Sequence, residues 1–182
     1  MGSPGSENEL NLREMEPGDS AAASLLIGQL GYERSPQQVI EWIASLGTGR
    51  EQAAFVACLG DEVVGWVEVS IERRLQAAPS AYIGGLVVKE SVRGQGIGRA
   101  LCRRAEAWGW DRCAETVRVT SRSTRLDAHR FYVNDGYQVV KSSLVFEKHR
   151  PSESRLDADP HRSQKHYGPG NPIPGPRVSA IG

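Results

Sequence analysis

Apolar and polar residues repeat along the chain with two different periods, and the changes between them predict the secondary structure. Residues 10–15 alternate apolar and polar positions, as a half-buried strand does. Three longer apolar stretches bounded by glycine or acidic residues are also typical of strands, and they cover 53–60, 62–72 and 81–88. The turn "GDE" between the first two of these stretches indicates a hairpin.

A period near 3.6 residues predicts four helices. The first begins at Asp19 or Ser20 and ends at Gly31. The second begins at the pair Ser35–Pro36, a common helix start. The third is amphipathic and follows a glycine-rich stretch, and the fourth covers residues 123–136.

Alternation alone predicts the remaining strands, at 116–121, 137–141 and 143–148. The element order is therefore β-α-α-β-β-β-α-β-α-β-β. Consecutive strands pair antiparallel, whereas a helical crossover produces a parallel step, here between the fourth and fifth strands. The pattern predicts an α/β fold with a mixed, mostly antiparallel sheet and helices on both faces.

Composition narrows the classes of function. The 182 residues are enough for one ordinary domain, and 39% apolar and 24% charged residues are usual for a soluble globular protein. Because the formal net charge is zero, neither nucleic acid nor a membrane is expected as a partner. The three cysteines lack CxxC or Cys/His spacing, so we expect reduced thiols in a cytoplasmic protein without a metal.

The chain is predicted to have three parts. Residues 1–8 form a flexible leader without the pattern of a signal peptide. Residues 9–149 carry all of the periodic pattern and form the folded domain. Residues 150–182 are rich in proline and glycine and poor in apolar residues, so we expect a disordered tail.

Three glycines stand where the third helix begins, at Gly94, Gly96 and Gly98. Amides at a helix N-terminus carry partial positive charge, glycine lets an anion approach, and Arg93 adds a full charge. The stretch lacks the Lys-Ser/Thr of a Walker loop, and its GxGxG spacing differs from the GxGxxG of a Rossmann fold. We predict an anion site, and a tight turn is the alternative.

Two segments resemble the landmarks of the GCN5-related N-acetyltransferase (GNAT) superfamily. "RGQGIG" (93–98) is similar to the family's R/Q-x-x-G-x-G/A signature, and "AHRFYVNDGY" (128–137) is similar to its second landmark, on the fourth helix. Within the family, residues 65–98 resemble the aminoglycoside 6'-N-acetyltransferases. The resemblance implies the GNAT fold, with six to seven strands splayed between strands 4 and 5, and acetyl-CoA as the acyl donor.

The resemblance also implies a set of cofactor-binding residues. In the family, the loop amides bind the pyrophosphate of acetyl-CoA, and the pantetheine arm pairs with the open edge of the fourth strand. Gly84 and Gly85 suit the bulge that splays this strand. The implied residues are Leu86, Val87, Val88, Arg93, Gly94, Gln95, Gly96, Ile97, Gly98 and Arg99.

The implied reaction is attack of a neutral amine on a thioester, which requires a base for the amine and a proton donor for the thiolate. By resemblance the proton donor is Tyr132, since a phenol with a pKa of about 10 can protonate a thiolate. Packing beside Phe131 is the alternative for this tyrosine. A packing role explains His129, on the same helix, better than a role as base.

The position of the catalytic base is where this sequence differs from the family pattern. Many members have a glutamate on the fourth strand, where this chain has Gly84 and Gly85. Glu68 on the third strand is the substitute candidate, because it points away from the side chains of Val67 and Val69. A solvent-facing Glu68 is an equal alternative, and deprotonation through water without a dedicated base is another.

Acceptor recognition in the family involves the segment between the first two helices. Tyr32, Glu33, Trp66 and Gly84 are the candidate acceptor-binding residues, and an ordinary surface or packing position is an equal alternative for Tyr32, Glu33 and Trp66. The predicted function is acetyl-CoA-dependent N-acetylation, by direct transfer in a ternary complex, of a small primary amine that is aminoglycoside-like or polyamine-like. Acetylation of a protein N-terminus or lysine and a non-catalytic acyl-CoA sensor are alternatives. A homodimer is compatible with the family.

Overall fold

The computed structural model describes residues 9–46 and 51–150. Within these ranges the chain forms five strands, four α-helices and two short 3₁₀ turns. The strands are β1 (Leu10–Glu14), β2 (Gln52–Leu59), β3 (Glu62–Arg74), β4 (Ala77–Val88) and β5 (Thr116–Val119), and the helices are α1 (Ser20–Gly28), α2 (Pro36–Leu46), α3 (Ile97–Trp110) and α4 (Leu126–Asn134). The predicted leader and nearly all of the predicted tail lie outside the described residues. None of the described helices is long and apolar enough to cross a membrane.

The strands form one sheet in the order β1-β2-β3-β4-β5. Neighbours from β1 to β4 are antiparallel, and β4 pairs with β5 in parallel across the α3 crossover. This topology confirms the predicted mixed, mostly antiparallel sheet with one parallel step.

The prediction of six to seven strands is wrong for the described residues, which contain five. Residues 137–150 are irregular, and Val139, Leu144 and Phe146 are exposed. The chain divides into two compact units after Val139, so residues 140–150 belong to the second unit. Alternation is a preference of single side chains, whereas a strand also needs a neighbour for its backbone hydrogen bonds, and residues 137–148 form no such ladder.

Both faces of the sheet are covered by helices. On one face Val67, Val69 and Ile83 pack against Leu101 of α3. Successive side chains of a strand point to opposite faces, so Trp66 and Glu68 lie on the other face. There Trp66 belongs to the cluster built with α1 and α2. Glu68 therefore faces the α1–α2 side of the sheet.

Candidate active site

Strand β4 keeps β3 as a partner along its length but loses its other partner, β5, in its middle. Its pairing with β5 runs from Ser80 to Ile83 only, although the strand continues to Val88. On its other side the register shifts so that Glu68 pairs with Gly85 and Val69 with Ile83, which makes Gly84 the extra residue of a β-bulge. Beyond Ile83, the edge of β4 that faces β5 has no strand partner in the described part of the chain. The predicted bulge and splay are both present.

The glycine loop ends in an open helix N-terminus. Gly94 and Gly96 both have φ of +81°, a conformation that favours glycine, and Gly96 is the N-cap of α3. A Cβ atom at either position would meet nothing within 4 Å. The first helical hydrogen bond joins the Ala100 amide to the Gly96 carbonyl at 3.0 Å, so the three preceding amides are available to a ligand.

Gly98 has a different role from the other two glycines. A Cβ atom there would lie 3.3 Å from the ring of Phe131 on α4, so the glycine lets α3 and α4 pack closely. The neighbouring Arg99 donates to Asp135 Oδ1 at 2.7 Å, at the C-terminal end of α4. The loop motif therefore joins two tasks, because its first glycines shape the backbone and its last one admits the helix that carries Tyr132.

Arg93 is held at the side of the loop. Its Nε donates to the Val88 carbonyl at 3.1 Å, and a terminal nitrogen donates to Gln29 at 3.3 Å. About half of its side chain is exposed. The guanidinium thus stands between the end of β4 and α1, next to the loop amides.

Glu68 extends over Gly84. A Cβ atom added to Gly84 would overlap Oε1 of Glu68, so a larger residue would displace this carboxylate from its position. The side chain of Glu68 is half-buried, and burial raises the pKa of its carboxyl above the ordinary value. Gly84 therefore leaves the space that the carboxylate of Glu68, on the adjacent strand β3, occupies.

Trp66 and Gly85 have a similar relationship. A Cβ atom on Gly85 would lie 2.7 Å from the indole ring of Trp66. Trp66 is only 7% exposed and packs in the cluster with α1 and α2. The structure therefore places Trp66 beneath the surface next to the bulge, as the floor of this region.

Tyr132 lies in a group of three aromatic rings. Its ring meets those of Phe131 and Tyr137 edge to face, with centroids 5.1 and 5.5 Å away. Burial first, and then the neighbouring Cys102, raise the pKa of Tyr132 to about 12, while Arg125 acts in the opposite direction. The Tyr137 hydroxyl is committed to Glu106 at 2.7 Å. In the described part of the chain the Tyr132 hydroxyl has no such partner, and it is protonated at neutral pH.

The segment after β5 approaches the loop between α1 and α2. Thr120 and Tyr82 share a hydroxyl–hydroxyl hydrogen bond of 2.7 Å. Arg122 donates to the Tyr32 hydroxyl at 3.3 Å and lies 5.9 Å from the centre of its ring. His129 Nε2 lies 3.0 Å from the Arg122 carbonyl, which can only accept, so this nitrogen carries the proton.

The predicted acceptor residues are thus only partly brought together. Tyr32 and Glu33 line an open cleft between α1 and α2, whereas Gly84 lies at the bulge. Sequence reasoning did not single out Arg122, because its contact with Tyr32 joins residues ninety positions apart. A signal was nevertheless present, since Arg122 lies three residues after β5, the strand that pairs with β4 as far as the bulge.

Comparisons with known proteins agree with this architecture. The profile described as the acetyltransferase (GNAT) family matches residues 20–137. The chain is 27% identical over 140 residues to the aminoglycoside N(6')-acetyltransferase type 1 of Stenotrophomonas maltophilia, covering 74% of this chain and 90% of that protein. Over 84 residues it is 36% identical to the aminoalkylphosphonate N-acetyltransferase of Salmonella typhimurium, covering 46% of this chain and 54% of that protein.

A solved structure shows the same fold. The aminoglycoside acetyltransferase AAC(6')-Iy, in complex with the bisubstrate analogue CoA-S-monomethyl-acetylneamine, superposes with a TM-score of 0.70 at 15% identity. The superposition covers 78% of this chain and 99% of that one. The profile match includes both sequence motifs, the bulged β4 and the loop before α3. The chain therefore belongs to the GNAT family of acetyltransferases.

Proposed function

We propose that the protein transfers the acetyl group of acetyl-CoA to a primary amine of a small molecule, by direct attack within a ternary complex. One observation carries this proposal. The half-buried carboxylate of Glu68, on β3, projects over Gly84 of β4. Gly84 lies where β4 and β5 separate, and β4 leads to the glycine loop. The proposed base, the strand edge that would bind the acyl donor and the anion site therefore lie on β3, on β4 and in the loop that follows β4.

The residues at this site fit acetyl-CoA, which supplies an activated thioester. The amides of Ile97, Gly98 and Arg99 at the start of α3 are oriented for a pyrophosphate, and the side chain of Arg93 stands beside them. The open edge of β4 at residues 86–88 offers backbone groups to the pantetheine amides. Gly94, Gln95 and Gly96 form the turn that keeps this approach free of side chains.

Two side chains handle protons in this scheme. Glu68 accepts a proton from the attacking amine, directly or through one water, and its raised pKa makes it a stronger base than an ordinary carboxylate. Tyr132 keeps its proton at neutral pH and donates a hydrogen bond toward the departing sulfur. In acid–base catalysis, two titratable groups in different environments commonly have opposite roles, one as proton acceptor and the other as proton donor.

The acceptor belongs to the small amines. Aminoglycoside-like and polyamine-like compounds are the acceptors predicted from sequence, and the relatives are named for aminoglycosides and aminoalkylphosphonates. Tyr32 and Glu33 would border the acceptor, with Trp66 supporting the bulge at Gly84 from below. The cytoplasmic location and the homodimer stay predictions.

Binding of the donor tests this proposal separately from turnover. Replacing Gly96 with Asp introduces a carboxylate and a strained φ at the N-cap of α3, so we expect at least a tenfold weaker affinity for acetyl-CoA by calorimetry. Gly31→Asp is the matched control, because Gly31 has φ of +83° and equally open surroundings away from the loop. Wild-type protein without measurable acetyl-CoA binding, or a Gly96→Asp variant that binds as tightly as the wild type, would exclude the donor site.

A further inference from the structure

Arg122 lies beside Tyr32, at the rim of the open cleft between α1 and α2, on the face of the sheet that Glu68 occupies. Its guanidinium contacts Tyr32, in the loop between α1 and α2, and these helices cover that face. Thr120, two residues earlier, is tied to Tyr82 of β4, whose backbone lies two residues before the bulge at Gly84. The segment that carries the arginine therefore begins next to the region where β4 and β5 separate.

The backbone that presents Arg122 is fixed without using the guanidinium. Its carbonyl accepts from the Arg125 amide and from His129 Nε2, each at 3.0 Å. A guanidinium has five N–H donors, and Tyr32 occupies one of them. The remaining donors are held in a defined position at the rim.

Arg122 and Glu68 carry opposite charges on the same face of the sheet. None of the ion pairs within residues 9–46 and 51–150 includes Arg122 or Arg125. Arg125 is exposed at the start of α4. Glu33, next to Tyr32 in sequence, adds an exposed carboxylate to this rim, and the half-buried Glu68 lies on the same face of the sheet. A ligand that matches these charges has a cationic or amine end toward Glu68 and an anionic end toward Arg122.

We propose that the acceptor is a primary amine that also carries an oxyanion, a carboxylate or a phosphonate, and that Arg122 binds this oxyanion while the amine faces Glu68. The inference rests on the proposed function and narrows its acceptor class. Guanidinium donors match the geometry of an oxyanion, and such charged hydrogen bonds change affinity by about 10- to 100-fold. A polycationic aminoglycoside or polyamine would instead bring ammonium groups next to Arg122 and Arg125.

A set of four acceptors that differ only at one end tests this proposal. Aminopropylphosphonate, aminobutyrate, aminopropanol and diaminopropane share a propylamine and end in a phosphonate, a carboxylate, a hydroxyl and an ammonium. We expect kcat/KM, measured by release of the CoA thiol, to be about 10- to 100-fold higher for one or both anionic acceptors than for aminopropanol, and lowest for diaminopropane. The two anionic compounds separate a phosphonate acceptor from a carboxylate acceptor.

Two variants of the same residue assign the preference to Arg122. Arg122→Gln is expected to bring the ratio between anionic and neutral acceptors close to one, mainly through the acceptor KM. Arg122→Glu is expected to favour diaminopropane over aminobutyrate, a reversal that loss of a structural contact would not produce. Arg130→Gln is the matched control, because Arg130 is exposed on α4 and pairs with Asp127.

The outcomes separate this inference from the function on which it rests. Thiol release with a preference for aminopropanol or diaminopropane would overturn the anionic acceptor and leave acetyl transfer intact. An Arg122→Gln variant that loses activity equally with all four amines, or that changes the KM for acetyl-CoA instead, would also overturn it. Absence of release with all four amines, despite binding of acetyl-CoA, would overturn the inference, and absence of release also with an aminoglycoside and a longer polyamine would overturn the proposed function.

Discussion

Glycines in this site act through the atoms that they omit. At Gly96 the omitted Cβ permits a backbone of positive φ, which starts α3 with its amides exposed. At Gly98 it permits contact with the Phe131 ring, and at Gly84 it permits the Glu68 carboxylate. The same residue type therefore serves a turn, a helix contact and the proposed catalytic side chain within fifteen positions of sequence.

Gly84→Ala tests whether a glycine at this position is required for the position of the Glu68 carboxylate. The added methyl group would overlap Oε1 and displace the carboxylate, so we expect turnover to fall by about tenfold or more, toward the level of Glu68→Ala. In the Glu68→Ala background the same change should have little further effect, because the clashing atom is gone. A double-mutant cycle of kcat for the two positions measures this coupling.

Gly28→Ala is the control for this cycle, since a Cβ atom at Gly28 meets nothing within 4 Å. Strictly additive losses from Gly84→Ala and Glu68→Ala would show that the glycine serves the strand rather than the carboxylate. An unchanged kcat in Gly84→Ala would show that turnover does not depend on this position of the Glu68 carboxylate.

The sequence predicted Glu68 as the candidate base but did not predict which face of the sheet its side chain occupies. Alternation put Glu68 opposite Val67 and Val69, yet both faces of β3 are covered, so the pattern does not identify the face with the cleft. The deciding fact is the packing of Trp66 with α1 and α2, a long-range property. The Arg122–Tyr32 contact escaped prediction for the same reason, because it depends on how two loops meet.

Among the elements, the connection from β1 to α1 shows how the first helix is fixed. Arg13 on β1 donates two hydrogen bonds of 2.7 Å to Asp19, which caps α1, and the Glu16 amide donates a third at 2.8 Å. Burial alone would raise the pKa of Asp19, but these hydrogen bonds outweigh it and hold the pKa below its ordinary value. The α1–α2 side of the cleft begins at this junction.

Asp19→Asn is expected to lower the free energy of unfolding by about 1–3 kcal/mol at neutral pH, because a charged hydrogen-bond acceptor is lost. A carboxyl whose folded-state pKa is lowered stabilises the fold above its unfolded pKa of about 3.9 and loses this effect as pH falls through the folded value. The difference between wild type and variant should therefore shrink under acid. Urea unfolding at neutral and acidic pH measures it.

Asp127→Asn provides the comparison for this prediction. Asp127 also pairs with an arginine, Arg130, but both side chains are largely exposed, so little change in stability is expected at any pH. An Asp19→Asn variant as stable as the wild type at neutral pH, or a difference that grows on acidification, would refute the role assigned to the Asp19 carboxylate.

Local signals located most of the elements. The pair Ser35–Pro36 opens α2, where the Ser35 hydroxyl and the Gln38 side chain exchange hydrogen bonds of 3.2 and 2.9 Å with each other's amides. The glycines likewise marked the start of α3. The two strands predicted at 137–148 failed because alternation describes a face, and it does not supply a neighbouring strand.

For the molecule as a whole, the sheet and its two helical layers hold separate motifs on the two sides of the place where β4 and β5 separate. The α3 layer brings the loop amides and, through α4, Tyr132, whereas the α1–α2 layer covers the side with Glu68 and Tyr32. The parallel step between β4 and β5 ends at Ile83, where the two strands separate. The order of the elements predicted the topology, but it did not predict which residues surround the place where β4 and β5 separate.

The central claim is amine-dependent acetyl transfer with Glu68 as the base, and the rate of CoA thiol release tests it most directly. Wild type, Glu68→Gln and the control Glu72→Gln, on the same strand and paired with Arg74, are compared with and without amine at saturating acetyl-CoA. We expect release that requires the amine, a fall of about 100-fold or more in Glu68→Gln and a near-normal rate in Glu72→Gln. Wild-type release that is independent of amine, or a Glu68→Gln variant as fast as the wild type, would contradict the claim.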